Sequence, residues 1–278
     1  MILIDFSGMI ISTMTVLYTK NLSLEMVRHA TLTSVLYAKK KFPTQGELVF
    51  ACDDSNNWRK QIYPYYKTNR KKDREGSSMD WNMLFQYLNQ IKAEFKENLP
   101  YKFLQVETAE ADDIIAALVL AYPSEEKIIY SQDGDFTQLL KHPNTKLWSP
   151  KTKKFVTSSD PHKYLMEHIM EGDSSDGVPN ILSADNVFID KIRQTRCTQK
   201  FKDQNISELM AGRIPFTGVT KERFQRNRAM IDLSTIPDSI YQESVRQYEA
   251  TEPADRSKLF PYFFGLQMTK LMERLQEF

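Results

Sequence analysis

Residues 101–135 read YKFLQVETAEADDIIAALVLAYPSEEKIIYSQDGD, and this stretch decides the fold. Residues 101–106 and 127–131 are short runs rich in apolar and aromatic residues, which is typical of buried strands. Between them Ile114, Ile115, Leu118 and Val119 recur at helical spacing, with Thr108 as the predicted N-cap. A strand, a helix and a second strand in this order predict two parallel strands joined by a crossover helix.

The same pattern extends toward the amino terminus. Residues 2–5 and 47–53 are predicted strands, and the apolar residues of 24–36 recur at helical spacing between them. Another helix is predicted from Trp81 to Phe95, with Asp80 as N-cap and Pro100 as its stop. Strands that alternate with helices predict an α/β fold in which a parallel sheet is flanked by helices on both faces.

The remainder of the chain is predicted to be mainly helical. Asp160-Pro161 is typical of an N-cap followed by the first helical residue, and it opens a helix to about Met170. Later helices are expected to begin near Thr220 and Pro261. The chain is therefore divided into an α/β core over 1–155 and a helical lobe over 156–278.

The composition indicates a globular protein without a membrane span. The 278 residues include 37 Lys+Arg and 36 Asp+Glu, a net charge of only +1. The longest apolar run, from Ile114 to Tyr122, is about half of what a membrane-spanning helix needs. Two cysteines are too few for a disulfide framework, so Cys52 and Cys197 are expected to be reduced thiols of a cytoplasmic protein.

Acidic side chains follow every predicted strand. Ligands of open parallel sheets bind at the carboxyl ends of the strands, so these acids are expected to converge. One acid at a strand end is usually a turn residue, but repetition at four ends favours a shared site. The acids are Asp5, Asp53, Asp54, Glu110, Asp112, Asp113, Asp133 and Asp135, and Asp173 and Asp176 follow in a later Gly-Asp-Ser-Ser-Asp-Gly loop.

Converging carboxylates repel one another unless cations neutralise them. All-oxygen ligands favour Mg²⁺ or Mn²⁺ over zinc, and the four histidines are expected to lie away from the acids. So many acids favour two ions, which in phosphoester chemistry activate a water and stabilise the leaving oxygen.

A basic segment follows the second strand. Residues 58–74 contain seven Lys/Arg and one Asp, interleaved with Trp58, Tyr63, Tyr65 and Tyr66. Such a mixture suits a single nucleic-acid strand, since cations contact phosphates and rings stack on bases. A solvated charged face is the alternative interpretation. Gly76-Ser-Ser indicates a mobile segment that overhangs the acids.

Five motifs in order resemble the 5′-nuclease (flap endonuclease) family, including the ribonucleases H of T-even-type phages. The motifs are Asp5, Tyr65-Tyr-Lys-Thr-Asn-Arg70, Glu110-Ala-Asp-Asp113, Ser131-Gln-Asp-Gly-Asp-Phe136 and Gly172-Asp-Ser-Ser-Asp-Gly-Val-Pro179. The resemblance implies a 5′-nuclease/PIN-like fold with a flexible basic arch at about 58–80. It also implies a Mg²⁺-dependent 5′→3′ exonuclease and flap endonuclease that removes RNA primers and adjacent DNA during lagging-strand replication.

The resemblance further implies roles for individual residues. Lys67 and Arg70 would contact the scissile phosphate and stabilise transition-state charge, and Tyr66 would stack on the terminal base. Phosphates would also be bound by Arg59, Lys71, Lys72 and Arg74. The first ion would be held by Asp5, Asp53, Glu110, Asp113 and Asp133 with Asp112 nearby, and the second by Asp135, Asp173 and Asp176.

The implied partners are RNA–DNA hybrids and nicked, forked and 5′-flap DNA, bound by a monomer in the cytoplasm of a phage's host cell. The family's Gly-Ile-Gly hairpin is missing after Asp176, so duplex binding is expected at Lys191, Arg193, Arg196, Lys200 and Lys202. The chain starts almost on its first strand, so no amino-terminal clamp-binding tail is expected. Residues 272–278 could contact a single-strand-binding protein or a sliding clamp. The alternative is that this segment simply packs on the rest of the chain.

Two other functions fit parts of the sequence. Asp133-Gly-Asp-Phe-Thr137 satisfies the Asp-x-Asp-x-Thr signature of haloacid dehalogenase-type phosphatases, although that signature normally ends the first strand. A non-enzymatic nucleic-acid binder is the other alternative, but an acidic crevice would repel a polyanion.

Overall fold

Six strands form one sheet in the part of the chain that the computed structural model describes, residues 1–18 and 21–278. Their order across the sheet is β3-β2-β1-β4-β5-β6. The strands are β1 Ile2–Asp5, β2 Leu48–Ala51, β3 Lys102–Leu104, β4 Lys127–Tyr130, β5 Thr145–Ser149 and β6 Lys154–Val156.

The predicted parallel sheet is confirmed for β1 to β4, and β5, which was not predicted, extends it by pairing in parallel with β4. The register places Ile2 of β1 beside Leu48 of β2 and Ile128 of β4. β6 was not predicted and pairs antiparallel with β5. Residues 150–153 alone connect these two strands, and so short a connection makes a hairpin, whereas a parallel pair needs a long crossover.

Helices cover both faces of the sheet and build the rest of the chain. Within the described residues they are α1 Phe6–Leu17, α2 Leu24–Lys41, α3 Arg59–Ile62, α4 Thr68–Glu75, α5 Trp81–Asn98, α6 Ala111–Ala121, α7 Pro161–Glu171, α8 Gln199–Met210, α9 Gly218–Ile231, α10 Asp238–Ala250, α11 Leu259–Gly265 and α12 Thr269–Met272. A 3₁₀ helix, Gly134–Lys141, follows β4 directly.

Two of the predicted helix starts are confirmed by their caps. Asp80 accepts a hydrogen bond from the Met83 amide at 3.0 Å, and Asp160 accepts one from Lys163 at 2.8 Å. The cap predicted at Thr108 is wrong, because α6 begins three residues later. Glu110 and Asp113 form a capping box there, whereas Thr108 lies in a turn with φ of 62°.

The two faces of the sheet carry separate apolar clusters because side chains alternate along each strand. Ile2 and Ile4 of β1 pack on one face, with α1, α2 and α5. Leu3 packs on the opposite face, with α6 and Ile240 of α10. The core therefore lies on both sides of a sheet whose carboxyl edge stays open.

The residues beyond 156 divide into two groups. Helices α7, α8 and α9 form a third apolar cluster, which also takes in Tyr63 and Tyr66 from the basic segment. The last residues return to the α/β core, where the Phe278 ring lies 5.0 Å from that of Phe263 and is buried. The division into 1–155 and 156–278 stays a prediction, and the segment 272–278 packs on the chain itself.

None of the helices in the described residues has the length and apolar character needed to span a bilayer.

Candidate active site

A cleft of about 1230 Å³ lies at the carboxyl edge of the sheet. Acids from the ends of β1, β2 and β4 and from the start of α6 line one wall, as the strand-end pattern predicted. Cations of the arch, the segment 58–80, also line the cleft. The lining acids are Asp5, Asp53, Asp54, Glu110, Asp112 and Asp133, and the lining cations include Lys60, Lys67, Arg70, Lys71 and Arg74.

Backbone amides hold two of these acids in place. Asp5 is the N-cap of α1, and its Oδ1 accepts a hydrogen bond from the Gly8 amide at 2.8 Å. Oδ1 of Asp53 accepts from the Ala111 amide at 2.9 Å, which ties the end of β2 to the first turn of α6. Each of these carboxylates keeps its other oxygen for a ligand in the cleft.

The acids disfavour one another's ionisation. Burial, with Asp53 close by, raises the pKa of Asp5 to about 7. Burial and Asp135 raise the pKa of Asp133 to about 6, and burial together with Asp133 and Asp5 raises the pKa of Asp112 well above its usual range. Carboxylates that are hard to ionise together fit a divalent cation, because its charge removes the repulsion and oxygen is its preferred donor.

Two cations of the arch reach the acidic wall. Nζ of Lys67 pairs with Glu110 and lies 3.4 Å from Oδ2 of Asp176, and Arg70 pairs with Asp176 as well. Burial by itself would raise the pKa of Glu110, but Lys67 and Arg59 outweigh it and hold that pKa at about 2. The same acids raise the pKa of Lys67 against the effect of its burial, so the ammonium stays charged.

The structure does not bring Arg59 or Asp113 to the cleft, contrary to the roles predicted for them. Their side chains are 3% and 0% exposed and form an internal ion pair. The second oxygen of Asp113 also accepts from Nε1 of Trp58 at 3.0 Å. Because both side chains are buried and bonded to each other, Arg59 cannot reach a phosphate in the cleft and Asp113 cannot reach a metal ion there.

The arch presents a different tyrosine from the one predicted. Tyr66 is 2% exposed, and its hydroxyl lies 2.8 Å from Oε2 of Glu110 and 2.9 Å from Oδ2 of Asp176, so it can donate its one hydrogen to either carboxylate. Its neighbour Tyr65 is 39% exposed. In the turn before α4, Tyr63 and Tyr66 face inward and Tyr65 between them faces outward, which the run of tyrosines alone could not resolve.

The remaining arch cations lie at the surface. Lys71 and Lys72 are exposed, in agreement with a role in phosphate binding, which stays a prediction. Arg74 lies over the rings of Trp81 at 5.3 Å and Phe85 at 4.8 Å, and this packing fixes it at the base of the arch.

A second acidic cluster lies beside the first. Asp135, His168 and Asp173 each offer one ligand atom, and these atoms all lie within 4.8 Å of one another. The expectation that the histidines lie away from the acids is therefore wrong for His168. Its Nε2 lies 3.0 Å from Oδ1 of Asp135, and the pair is 33 residues apart in sequence. The third predicted ligand, Asp176, pairs instead with Lys67 and Arg70.

Part of the surface expected to bind duplex is not available. Lys202 is buried and pairs with Glu171, so it cannot contact DNA as predicted. The other four residues of that set are exposed or partly exposed, namely Lys191, Arg193, Arg196 and Lys200.

Two family models together match residues 2–278 of the chain. The family model described as "5′-3′ exonuclease, N-terminal resolvase-like domain" matches residues 2–169, and the one described as "T4 RNase H, C terminal" matches residues 159–278. Ribonuclease H of Enterobacteria phage T4 is 33% identical over 290 residues, covering 99% of this chain and 95% of the relative. Flap endonuclease Xni of Shewanella pealeana is 32% identical over 154 residues, covering 51% of this chain and 56% of the relative.

Solved structures share the fold. The bacteriophage T5 flap endonuclease in a pseudo-enzyme–product complex with DNA and metal ions superposes with a TM-score of 0.64 at 15% identity, covering 89% of this chain and 97% of that one. The T5 5′-exonuclease with bound zinc gives a TM-score of 0.62 at 15% identity, covering 90% and 98%.

Family membership decides between the functions left open by the sequence. The resemblance to the 5′-nucleases is confirmed, and the phosphatase and the non-enzymatic binder are excluded as alternatives. The chain belongs to the 5′-3′ exonuclease family of nucleases, together with the ribonuclease H of phage T4.

Proposed function

We propose that this nuclease is a divalent-metal-dependent 5′→3′ exonuclease and flap endonuclease. Its substrates would be RNA–DNA hybrids and nicked, forked and 5′-flap DNA, and its role the removal of RNA primers and adjacent DNA during lagging-strand replication in the host cytoplasm. One observation carries the proposal: the acids that follow the strands and the cations of the arch line a single cleft.

Two Mg²⁺ ions, replaceable by Mn²⁺, would lower the pKa of the attacking water and stabilise the leaving oxygen. Side chains that could bind the first ion lie at the ends of three strands and at the start of α6. Side chains that could bind the second ion lie in the segments after β4 and after α7. The first set is Asp5, Asp53, Glu110, Asp112 and Asp133, and the second is Asp135 and Asp173, with Asp176 alongside.

The cations of the arch would act on the phosphate. Lys67 and Arg70 line the cleft and pair with Glu110 and Asp176, so a phosphate bound beside these acids would meet positive charge as well. Fixed charges aimed at a reacting phosphate stabilise the transition state without reorganising. Lys71 and Lys72, on the outer face of α4, would bind the backbone of the strand, and the exposed ring of Tyr65 is available to stack on a base.

The test is a cleavage assay with 5′-labelled substrates. An RNA–DNA hybrid, its all-DNA equivalent and a 5′-flap duplex are incubated with Mg²⁺, with Mn²⁺ and with EDTA. Short 5′ products are expected with either metal and none with EDTA. Asp133→Asn is expected to abolish the release of 5′ products, because it removes one of the proposed metal-binding carboxylates. Asp203→Asn makes the same chemical change on exposed α8 and should leave the rate unchanged.

Three results would contradict the proposal. The first is cleavage that persists in EDTA, and the second is equal activity of Asp133→Asn and Asp203→Asn. The third is a wild-type protein that binds all three substrates and cuts none of them under either metal. If the protein cuts the DNA substrates and leaves the RNA–DNA hybrid intact, the assignment as a nuclease stands and the proposed removal of RNA primers is contradicted.

A further inference from the structure

An imidazole takes part in the second acidic cluster, and this part of the site goes beyond the ligands that the sequence indicated. Nε2 of His168 lies 3.0 Å from Oδ1 of Asp135, and Asp173 completes a group whose three ligand atoms lie within 4.8 Å of one another. A single ion of ordinary coordination radius could therefore contact one atom of each residue.

The imidazole is positioned by a tyrosine of its own helix. The Tyr164 ring stacks on that of His168 with centroids 5.9 Å apart, and the Tyr164 hydroxyl donates to the Gly134 carbonyl at 3.1 Å. These contacts fasten α7 to the turn that carries Asp135. The histidine is therefore directed at the carboxylate by the packing of the helix.

The loop that contains Asp173 fixes this residue beside Asp135 and His168. Gly172 has φ of +69°, and a Cβ at this position would lie 2.4 Å from the Val178 carbonyl oxygen. The Val178 amide donates to the Asp173 carbonyl at 2.7 Å, which closes the loop. The three side chains thus come from three separately fixed segments, and their convergence is a property of the tertiary structure.

We propose that His168 is a ligand of the second metal ion and that it makes this site prefer Mn²⁺ to Mg²⁺. The inference rests on the proposed metal-dependent function. Mg²⁺ strongly favours oxygen donors, whereas imidazole nitrogen suits the transition metals. The wall of Asp5, Asp53 and Asp112 offers only oxygen and suits Mg²⁺, so the two sites differ in their selectivity.

The test measures metal binding directly, without nucleic acid. Mn²⁺ is titrated into metal-free protein and followed by electron paramagnetic resonance, and Mg²⁺ affinity is obtained by competition. In His168→Gln the Mn²⁺ affinity of one site should fall about 10- to 100-fold. The Mg²⁺ affinity of that site should change by less than about threefold, because a nitrogen ligand contributes little to Mg²⁺ binding.

Control variants separate a metal ligand from a structural contact. His162→Gln makes the same change on the same helix, six residues earlier, and should leave both affinities unchanged. His168→Glu replaces nitrogen by oxygen and should shift the preference toward Mg²⁺. The visible absorption spectrum of the Co²⁺-loaded protein should change in His168→Gln and stay constant in His162→Gln. Circular dichroism melting verifies that each variant is folded.

Two outcomes of the metal titrations would overturn the inference about His168. If His168→Gln weakens Mn²⁺ and Mg²⁺ binding by the same factor, the histidine only orients Asp135 and the inference is overturned. It is also overturned if wild type binds Mn²⁺ and His168→Gln binds it equally well, and in that case the proposed function stands. A wild-type protein that binds no Mn²⁺ at either site would overturn the metal-dependent function itself.

Discussion

Arg59 and Asp113 form a two-point ion pair inside the protein. Nη2 of the arginine donates to Oδ1 of the aspartate at 2.7 Å, and Nη1 donates to Oδ2 at 3.0 Å. Nε of Arg59 donates in addition to the Met230 carbonyl at the end of α9, at 2.9 Å. One buried guanidinium thus links the base of the arch, the acid-bearing helix α6 and the helical lobe.

Loss of the aspartate from this pair should destabilise the fold. Asp113→Asn leaves a buried guanidinium without its counter-charge, so the free energy of unfolding should fall by about 3–5 kcal/mol in urea titrations. Because Asp113 does not reach the cleft, Mn²⁺ affinity of the folded variant should be unchanged. The neighbouring Asp112→Asn is the matched control and should weaken Mn²⁺ binding without loss of stability. If Asp113→Asn instead weakens Mn²⁺ binding and leaves the stability unchanged, Asp113 is a metal ligand and this prediction is wrong.

A methyl group at residue 8 should disturb the first acid. A Cβ on Gly8 would lie 2.1 Å from Oδ2 of Asp5, so the carboxylate would have to move. Displacements of about 1 Å at a reacting centre cost roughly 100-fold in rate. Gly8→Ala should therefore reduce flap cleavage by about that factor. Ser7→Ala, one residue earlier in the same helical turn, should cleave at nearly the wild-type rate. Wild-type cleavage by Gly8→Ala would contradict the assignment of Asp5.

The arch cations should separate into two kinetic classes. Lys67→Ala should lower the single-turnover rate about 100-fold and change substrate affinity little, because Lys67 stands against the acidic wall. Lys71→Ala and Lys72→Ala should mainly weaken binding, and each should reduce the slope of log K against log salt by about 1. Fluorescence anisotropy across a salt series gives the slopes. Equal effects of all three variants on rate would argue against a catalytic Lys67.

The metal-free protein should lose stability as the pH rises. The pKa of Asp5 is about 7 in the folded protein and near 3.8 when unfolded, so the folded state binds more protons between these values. This contribution to stability is complete below about pH 4 and is lost as the pH rises through 7. Glu110 has the opposite shift, but its pKa of about 2 confines its effect to pH below about 4.5.

Melting temperatures from pH 5 to 8 test this linkage. In EDTA the melting temperature should fall over this range, by about 2–4 °C for each kcal/mol lost. Saturating Mg²⁺ should remove most of the fall, because it supplies the charge that the protons supplied. Asp5→Asn in EDTA should give a flatter profile than wild type. A profile in EDTA that is flat for wild type would contradict the raised pKa of Asp5.

Local patterns predicted the elements that position the site. The strands β1 to β4 were predicted from short apolar runs. Asp80 and Asp160 were predicted as N-caps, and each side chain accepts a hydrogen bond from the amide three residues later. The convergence of the strand-end acids also followed, since the carboxyl ends of parallel strands meet at one edge. Strands β5 and β6 were both missed, and β6 is an edge strand of only three residues, which carries too short a pattern.

Other features depended on distances that no local pattern contains. The contact between His168 and Asp135 joins residues far apart in sequence, and no local pattern brings them together. Arg59 belongs to a basic run that is typical of a solvated or phosphate-binding surface, yet it is buried. Its desolvation is tolerated because the fold places Asp113 and Glu110 within hydrogen-bonding distance.

The sequence by itself determined the α/β sheet, the acidic edge and the cationic segment opposite it, because these follow from periodicity and from residue order. The tertiary structure alone decided which of the charged residues face the cleft and which neutralise one another in the interior. The physical reason is that a charge leaves water only where an opposite charge meets it. That pairing is set by the packing of α6, α7 and α9 around the sheet.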